Sequence, residues 1–330
     1  MAANMGGQND QTMAMSIGQR VKQFVMSHLE VVSIASAFFV SVIFFALRSE
    51  HFRSAQNMLN IAGQTAPISI VAFGMTFVIL SGGIDLSVGA VVSFAGIVAA
   101  RVFEGGGNIW IAVLAALLTG CAFGLFNGAI IVKGRIQPFL VTLGALSIVK
   151  GLSLLLSGGQ TSYLLDDTFQ TMFGNGASLM VWTVFLLAVC QATVRMTGFG
   201  RHVQAIGCSA VAARLSGVPV QFVKIRVYII SGLLAALSGL AMTGRLGSAS
   251  AQTGDGMELD AIAAVVLGGT NFTGEGGSML GTLFGALIMG TVSSGLNISG
   301  VDPYVQNVVK GAIIIAAVLI GGLKTRGRET

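Results

Sequence analysis

Charged side chains are scarce in this chain of 330 residues. Asp, Glu, Lys and Arg make up 9% of the sequence, whereas a soluble domain carries about 25%. Residues 54–84, 105–132 and 168–194 contain none of these four residue types. A helix of about 20 apolar residues is long enough to cross the hydrocarbon core of a bilayer, and each stretch exceeds that length. The scarcity of charge therefore excludes an ordinary soluble domain and predicts a polytopic helical membrane protein.

The residues that several common activities require are also missing. The three cysteines provide no framework of disulfides, and the three histidines are scattered, so we expect no metal site. No Gly-x-x-x-x-Gly-Lys-Ser/Thr phosphate loop occurs. We therefore expect this chain to bind no cofactor of its own and to carry no catalytic residue. The net charge of +5 is dispersed among loops, which indicates membrane orientation and no nucleic-acid surface.

The apolar residues form about ten blocks, which predicts an all-α transmembrane bundle with both termini on one side of the membrane. The segments on the side of the termini hold twelve basic and three acidic residues, and the opposite segments hold four basic and eight acidic ones. Because basic loops stay in the cytoplasm, we expect cytoplasmic termini. The predicted parts are an N-terminal tail (1–29), a transmembrane domain (30–323) with a long cytoplasmic loop (196–226), and a C-terminal tail (324–330). The predicted crossings are 30–47, 60–80, 87–103, 110–132, 139–156, 178–195, 227–246, 261–271, 278–295 and 305–323.

Two regions interrupt the apolar pattern, at residues 79–87 and 267–278. Each places paired glycines and one carboxylate, Asp85 or Glu275, between apolar runs. Backbone groups freed at a break must be satisfied by protein or by water in a cavity, and corresponding breaks in two halves of a transporter indicate the substrate pathway. Two alternatives stay open. Each region is equally typical of a tight loop at the membrane surface, and Asp85 is well placed to cap a helix that starts near Ser87.

Glycine is abundant, with 46 residues, about twice the average usage of roughly 7%. Two sets of three are spaced by four residues, which puts each set on one helix face where another backbone can approach. We predict close helix packing there, either fixed or as an interface that moves. The sets are Gly120, Gly124 and Gly128, and Gly277, Gly281 and Gly285.

The longest polar loop predicts a docking surface. Ser209 can cap a short helix over residues 210–215, and Gly217 and Pro219 would end it. A short and partly apolar helix in a basic loop is poorly explained as a linker, and a site for a cytoplasmic partner explains it better.

Four ordered motifs resemble one known family. They are Ser-Gly-Gly-Ile-Asp-Leu-Ser-Val-Gly at 81–89, Phe-Asn-Gly at 126–128 with Gln-Pro-Phe-Leu-Val-Thr-Leu-Gly at 137–144, Ala-Ile-Gly at 205–207 with Ala-Ala-Arg-Leu-Ser-Gly-Val at 212–218, and Leu-Gly-Gly-Thr at 267–270 with Gly-Gly-Ser at 276–278. From about residue 57 to residue 322, the chain resembles the permease subunits of ribose-type sugar ABC importers, the group that includes xylose, arabinose and galactose permeases.

The resemblance implies several partners. A second permease copy, identical or paralogous, would form a dimer in the lipid of the bacterial inner membrane and rest on two ATPase subunits, which bind ATP and Mg. A periplasmic or lipid-anchored binding protein would deliver the sugar. The long loop would couple to the ATPase. In the family, Ala-Ile-Gly is commonly followed by Gly/Ala-Asn and then by an acidic residue before the Ala-Ala pair. This chain has Cys208, Ser209 and Val211 there, which excludes a salt bridge from that position. The coupling residues would be Arg201, Ala205, Gly207, Ala212, Ala213, Arg214 and Gly217.

The expected function is import of a pentose or hexose. A neutral sugar needs hydrogen-bonding groups and no fixed charge. Two alternatives are an ABC permease for nucleosides or branched-chain amino acids and a stand-alone secondary transporter. A membrane-embedded transferase is disfavoured because paired acidic motifs are absent. The residues predicted to meet the substrate are Asp85, Ser87, Asn127, Gln137, Thr142 and Thr270.

Overall fold

Helices form nearly all of the computed structural model, which describes residues 29–270 and 277–326. The N-terminal tail, the end of the C-terminal tail and the middle of the second break, with Glu275, lie outside the described residues. Within the described ranges, two two-residue strands, Ser162–Tyr163 (β1) and Ser248–Ala249 (β2), pair antiparallel, and a 3-10 turn spans His51–Arg53. The thirteen α-helices of those ranges are Leu29–Arg48 (α1), Ala55–Leu80 (α2), Val88–Glu104 (α3), Ile109–Gly134 (α4), Pro138–Ser157 (α5), Asp167–Phe173 (α6), Gly176–Met196 (α7), Gly198–Cys208 (α8), Ala210–Leu215 (α9), Val220–Leu246 (α10), Met257–Leu267 (α11), Met279–Ile298 (α12) and Pro303–Arg326 (α13).

The predicted polytopic helical fold is confirmed. Six helices of the described ranges are long and apolar enough to cross a membrane, namely α2, α4, α5, α7, α10 and α12. The other four predicted crossings correspond to α1, α3, α11 and α13. Helix α11 has 11 residues, so at about 1.5 Å per residue it spans roughly half of the hydrocarbon core. The total of ten crossings stays a prediction.

Helix boundaries differ from the prediction where a helix continues past its apolar run. Helix α2 begins at Ala55 instead of residue 60, because Ser54 Oγ accepts a 3.2 Å hydrogen bond from Asn57 N and caps the helix. Helix α10 begins at Val220 instead of residue 227. Its first turns carry Lys224 and Arg226, which a hydropathy pattern excludes from a membrane span. The last seven residues of the predicted loop 196–226 are therefore helical.

The core is built around α2 and α10. The apolar part of α2 is 89% buried inside the chain, whereas that of α4 is 22% buried. Helix α10 packs against α2, α3 and α4. Ser238 Oγ donates a 2.9 Å hydrogen bond to the carbonyl of Pro67, which joins α10 to α2. Because α4, α5 and α7 leave most of their apolar surface exposed, they form the outer face of the bundle.

The first glycine set lies on α4 at its contact with α10. A side chain at Gly124 would overlap the carbonyl oxygen of Tyr228, and one at Gly120 would overlap that of Gly232. The relation is reciprocal, because a side chain at Gly232 would overlap the carbonyl oxygen of Gly120. The two backbones therefore touch along this interface, as small residues permit in membrane helices. Movement of the two helices at this interface stays a prediction.

The second glycine set is divided between a helix and the segment before it. Gly281 and Gly285 lie on α12 against the backbones of Gly268 and Ala264 at the end of α11. Gly277 precedes α12 and has a φ of 116°, a conformation that favours glycine. Its spacing from Gly281 therefore does not place the two on one helix face.

Candidate functional site

A buried carboxylate lies at the centre of the first break. Helix α2 ends at Leu80 and α3 begins at Val88, and Asp85 between them is 1% exposed. Its Oδ1 accepts hydrogen bonds from Ser87 N at 3.0 Å and from Ser87 Oγ at 2.6 Å. Its Oδ2 accepts a 3.0 Å hydrogen bond from Ser231 Oγ of α10. Three donors of the chain thus surround the carboxylate.

Two further helices hold the same segment. Asn127 of α4 donates from Nδ2 to Ser87 Oγ at 2.8 Å. Thr142 of α5 donates from Oγ1 to the carbonyl of Ile84 at 3.2 Å, and it also bonds the carbonyl of Pro138 at 3.0 Å within its own helix. Helices α4, α5 and α10 therefore converge on residues 84–87. We name Asp85, Ser87, Asn127, Thr142 and Ser231 the Asp85 cluster.

The Asp85 cluster satisfies the polar groups of a helix break inside the protein. Each of its five side chains is at most 1% exposed. A buried carboxylate keeps its place when hydrogen bonds replace its lost water, and the three donors do so here. Asp85 accepts from the backbone N–H of Ser87, the residue at the N-cap of α3, and within the described residues no side chain caps the first turn of that helix, so the alternative that Asp85 caps the helix is wrong. Substrate contact by these residues stays a prediction.

Two members of this region were missed by the sequence analysis. Ser231 was one, because nothing in the sequence distinguishes it from Ser238 of the same helix. Tyr228 was the other, and it lies one turn earlier on α10 and is 1% exposed. A Cβ added at Gly83 would lie 2.5 Å from Tyr228 Oη. Glycine is therefore needed at position 83, because a side chain there would overlap Tyr228. Tyr228 Oη and Asn127 Oδ1 have no hydrogen-bond partner within the part of the chain that the structure describes.

The remaining predicted pathway residues lie apart from the cluster. Thr270 is buried at the second break, and its Oγ1 has no hydrogen-bond partner among residues 29–270 and 277–326. A Cβ added at Gly277 would lie 3.0 Å from Thr270 Oγ1 and 2.9 Å from Leu80 Cδ2. The second break therefore lies against Leu80, the last residue of α2, where the first break begins. Gln137 is exposed at the start of α5, and the structure does not bring it into the cluster.

Two lysines in apolar runs form ion pairs with the segment around α11. Lys150 of α5 bonds both oxygens of Asp255 at 2.8 Å. Lys310 of α13 bonds Asp260 Oδ2 at 3.0 Å. The Lys150 pair is partly exposed, and such pairs contribute about 0–1 kcal/mol. These lysines therefore tie α5 and α13 to one end of α11.

The predicted docking segment consists of α8 and α9. Ser209 Oγ accepts from Ala212 N at 3.2 Å and caps α9, as the sequence predicted. Ala213 is 4% exposed and faces the bundle, whereas Val211 and Leu215 are 72% and 85% exposed. Among the other predicted coupling residues, Arg201, Ala205, Ala212, Arg214 and Gly217 are exposed and Gly207 is half-buried.

The docking segment is attached to the core through α8. The rings of Phe199 and Phe77 lie 6.2 Å apart and join α8 to α2. Val203 and Ile206 are buried on the same helix. A side chain at Gly200 would overlap the carbonyl oxygen of Val194, so α8 leaves α7 at a tight corner. Helix α8 therefore connects α9 to the core through packed side chains.

Comparison with known proteins decides the family. The family described as "Branched-chain amino acid transport system / permease component" matches residues 57–318. The chain belongs to this family. The permease is 42% identical over 286 residues to the ribose import permease protein of Escherichia coli strain K12, covering 84% of this chain and 88% of that protein.

Two further relatives are similar along most of their length. The ribose import permease protein of Bacillus subtilis strain 168 is 40% identical over 294 residues, covering 87% of this permease and 91% of that protein. The D-allose transport system permease protein of Escherichia coli strain K12 is 36% identical over 290 residues, covering 86% and 89%. No solved structure matches the chain. The resemblance to ribose-type sugar permeases that the four motifs carried is confirmed.

Proposed function

We propose that this permease is the membrane-spanning subunit of an importer that moves a monosaccharide from the periplasm to the cytoplasm. The observation that carries the proposal is the 42% identity to a ribose import permease over 84% of the chain. The bacterial inner membrane would hold it with both termini in the cytoplasm, as the distribution of basic residues favours. ATP and Mg would bind a separate ATPase.

The alternatives are not favoured. The family's description names branched-chain amino acids, whereas the relatives compared one by one are named for ribose and allose. A stand-alone secondary transporter would usually carry ionisable groups in its spans. The one acid of the first break, Asp85, accepts three hydrogen bonds from serines of the chain.

The packing of α8 and α9 supports coupling to the ATPase. Leu215 and Val211 would contact that partner as exposed apolar residues beside a cation, Arg214. A displacement of α9 would pass to α8 and then, through Phe199 and Phe77, to α2. The end of α2 leads directly into the Asp85 cluster. Movement of the ATPase would therefore reach the helix break through packed side chains.

A complete importer needs further subunits. We expect a second permease copy, identical or paralogous, as the resemblance to ABC importer permeases implies. Four of the six predicted pathway residues are buried and hydrogen-bonded within this chain. We also expect a sugar-binding protein on the side opposite to α9. No enzymatic step is assigned to this chain.

The experiment is co-purification of the tagged permease with the ATPase encoded beside it, followed by measurement of ATP hydrolysis with and without the neighbouring binding protein. The proposal predicts a stable complex whose hydrolysis rises when the binding protein and its sugar are added. A permease that purifies alone and still accumulates solute would contradict the proposal and favour a secondary transporter.

A further inference from the structure

The docking segment carries charge of one sign. No Asp or Glu occurs from residue 168 to residue 254, a stretch that contains α7 to α10. The two arginines of the docking segment, Arg201 and Arg214, are exposed. Neither forms an ion pair with a residue whose side chain the structure describes, and the four ion pairs of the described ranges all use acids outside this stretch. Both guanidinium groups therefore lack a counter-charge within the described part of the chain.

The arginine of α8 lies on the exposed face of that helix. Arg201, Ala205 and Cys208 are exposed at spacings of four and three residues, which place them on one face. The opposite face, with Val203 and Ile206, is buried against the core. Helix α8 therefore presents a cation and two small residues to a partner.

Helix α9 adds apolar side chains beside its arginine. Ala213 faces the bundle, whereas Val211, Arg214 and Leu215 are exposed. Lys224, in the first turns of α10, is half-buried, and its charge interacts with that of Arg214. Because the two charges have the same sign, Lys224 adds to the positive potential around α9 and neutralises none of it.

This combination fits a protein partner with exposed carboxylates. Apolar side chains beside arginines are typical of the contact regions between proteins. A guanidinium pairs with a carboxylate through two parallel N–H groups, and carboxylates are the groups that α8 and α9 lack. Charge complementarity therefore selects an acidic partner surface with a small apolar pocket for Leu215 and Val211.

An anionic membrane surface fits the docking segment less well. A helix that lies in the membrane interface inserts a broad apolar face among the lipids. The apolar face of α8, with Phe199, Val203 and Ile206, is packed against the core. Helix α9 has six residues and exposes two larger apolar side chains, Val211 and Leu215. Neither helix therefore offers the surface that insertion requires.

We propose that the docking segment binds an acidic surface of the ATPase, whose carboxylates pair with Arg201 and Arg214 around a pocket that receives Leu215. The proposal rests on the function proposed above and specifies the chemistry of the partner. Salt screens exposed charges over about 8 Å at physiological ionic strength and over about 3 Å at 1 M, so the complex should weaken as salt rises. An ATPase with a basic surface at that place should not couple to this permease.

The first test is carbodiimide cross-linking of the full chain in complex with the ATPase encoded beside it. Arg201→Lys and Arg214→Lys keep the charge and supply an amine, which carbodiimide joins to carboxylates. Mass spectrometry should find each substituted position joined to an Asp or Glu of the ATPase. Leu215→Cys with a photoreactive thiol label reports contact independently of charge. If that label reaches the ATPase and neither substituted position is joined to a carboxylate, the acidic surface is refuted while the proposed function stands. If no complex forms, both fail.

The second test is titration of the ATPase onto the permease in nanodiscs of phosphatidylcholine, with and without phosphatidylglycerol. Arg214→Glu should weaken binding by about tenfold or more at low salt, because like charges then face each other, and the loss should shrink at about 1 M NaCl. Lys133→Glu is the matched control, because Lys133 is exposed at the end of α4, outside the docking segment. It changes the net charge equally and should leave the affinity unchanged. Equal losses in the two variants would overturn the proposal. So would a loss in Arg214→Glu that appears only with phosphatidylglycerol, because the arginine would then bind anionic lipid.

Discussion

Ser231 Oγ donates a 3.0 Å hydrogen bond to Asp85 Oδ2 across 146 positions of sequence. The bond joins the middle of α10 to the break between α2 and α3. Oδ2 of Asp85 accepts this bond, whereas Oδ1 accepts two bonds from Ser87, which lies within the break itself. Ser231 therefore ties a local turn to the rest of the bundle.

Replacement of Ser231 by alanine should lower stability. The change leaves a buried carboxylate oxygen without its donor, which costs about 1–3 kcal/mol and more where the group is charged. The measurement is the thermal unfolding midpoint of the purified permease in detergent. Ser147→Ala is the matched control, because Ser147 is exposed on α5 and, among the described residues, its Oγ bonds only its own helix, at 3.5 Å. Equal midpoints for the two variants would contradict the role given to Ser231.

Asp85→Asn and Asp85→Ala should differ in transport. The amide of asparagine can still accept from Ser87 and donate to the hydroxyl of Ser231, so this variant should fold and keep most of its transport rate. Alanine leaves both serines without that partner and should cost about 1–3 kcal/mol of stability together with transport. Sugar uptake and thermal unfolding are measured side by side. A folded Asp85→Asn variant without uptake would instead support contact between the carboxylate and the substrate.

Gly232→Ala should disrupt the interface of α4 with α10. The added methyl overlaps the carbonyl oxygen of Gly120, and overpacking a core costs about 1–3 kcal/mol. Gly144→Ala on α5 is the control, because a Cβ there has nothing within 4 Å. Both changes gain the same helix propensity, about 1 kcal/mol, so the difference in unfolding midpoint reports packing alone. A Gly232→Ala variant as stable as the control would refute the close backbone contact.

Leu215→Ser should weaken the complex with the ATPase without unfolding the permease. Leu215 is 85% exposed, so its loss removes little internal packing. A central interface residue is worth about 1 kcal/mol or more, at least about a fivefold change in affinity. Leu165→Ser, at a position that is 69% exposed in another loop, should have no effect. Binding is measured by titration of the ATPase onto the permease in detergent. Equal affinities for the two variants would remove α9 from the interface.

Hydropathy predicted the long apolar helices because lipid requires their apolar composition, whatever their packing, and it missed the short helices α6 and α8. It failed at boundaries such as the start of α10, because Lys224 and Arg226 continue the helix beyond the apolar run. Helix α9 was predicted with its bounds because its signals are local, namely the cap at Ser209 and the glycine and proline that follow.

The Asp85 cluster was only partly predictable. Asp85 and Ser87 were identified because they lie in a break of the apolar pattern, and Asn127 and Thr142 because they are polar positions within the motifs that carry the resemblance. The sequence could not say whether they face a pathway or one another, since that depends on contacts between residues up to 146 positions apart. Ser231 was missed for the same reason, because a serine in an apolar helix often bonds only its own backbone.

The most direct test of the account is uptake by liposomes that contain the permease, its ATPase and external binding protein. Labelled ribose, allose, arabinose and leucine are offered one at a time, with ATP or a non-hydrolysable analogue inside. The account predicts that at least one sugar accumulates when ATP is inside and does not accumulate with the analogue, and that leucine accumulates in neither case. Accumulation of leucine, or of a sugar without ATP hydrolysis, would contradict it.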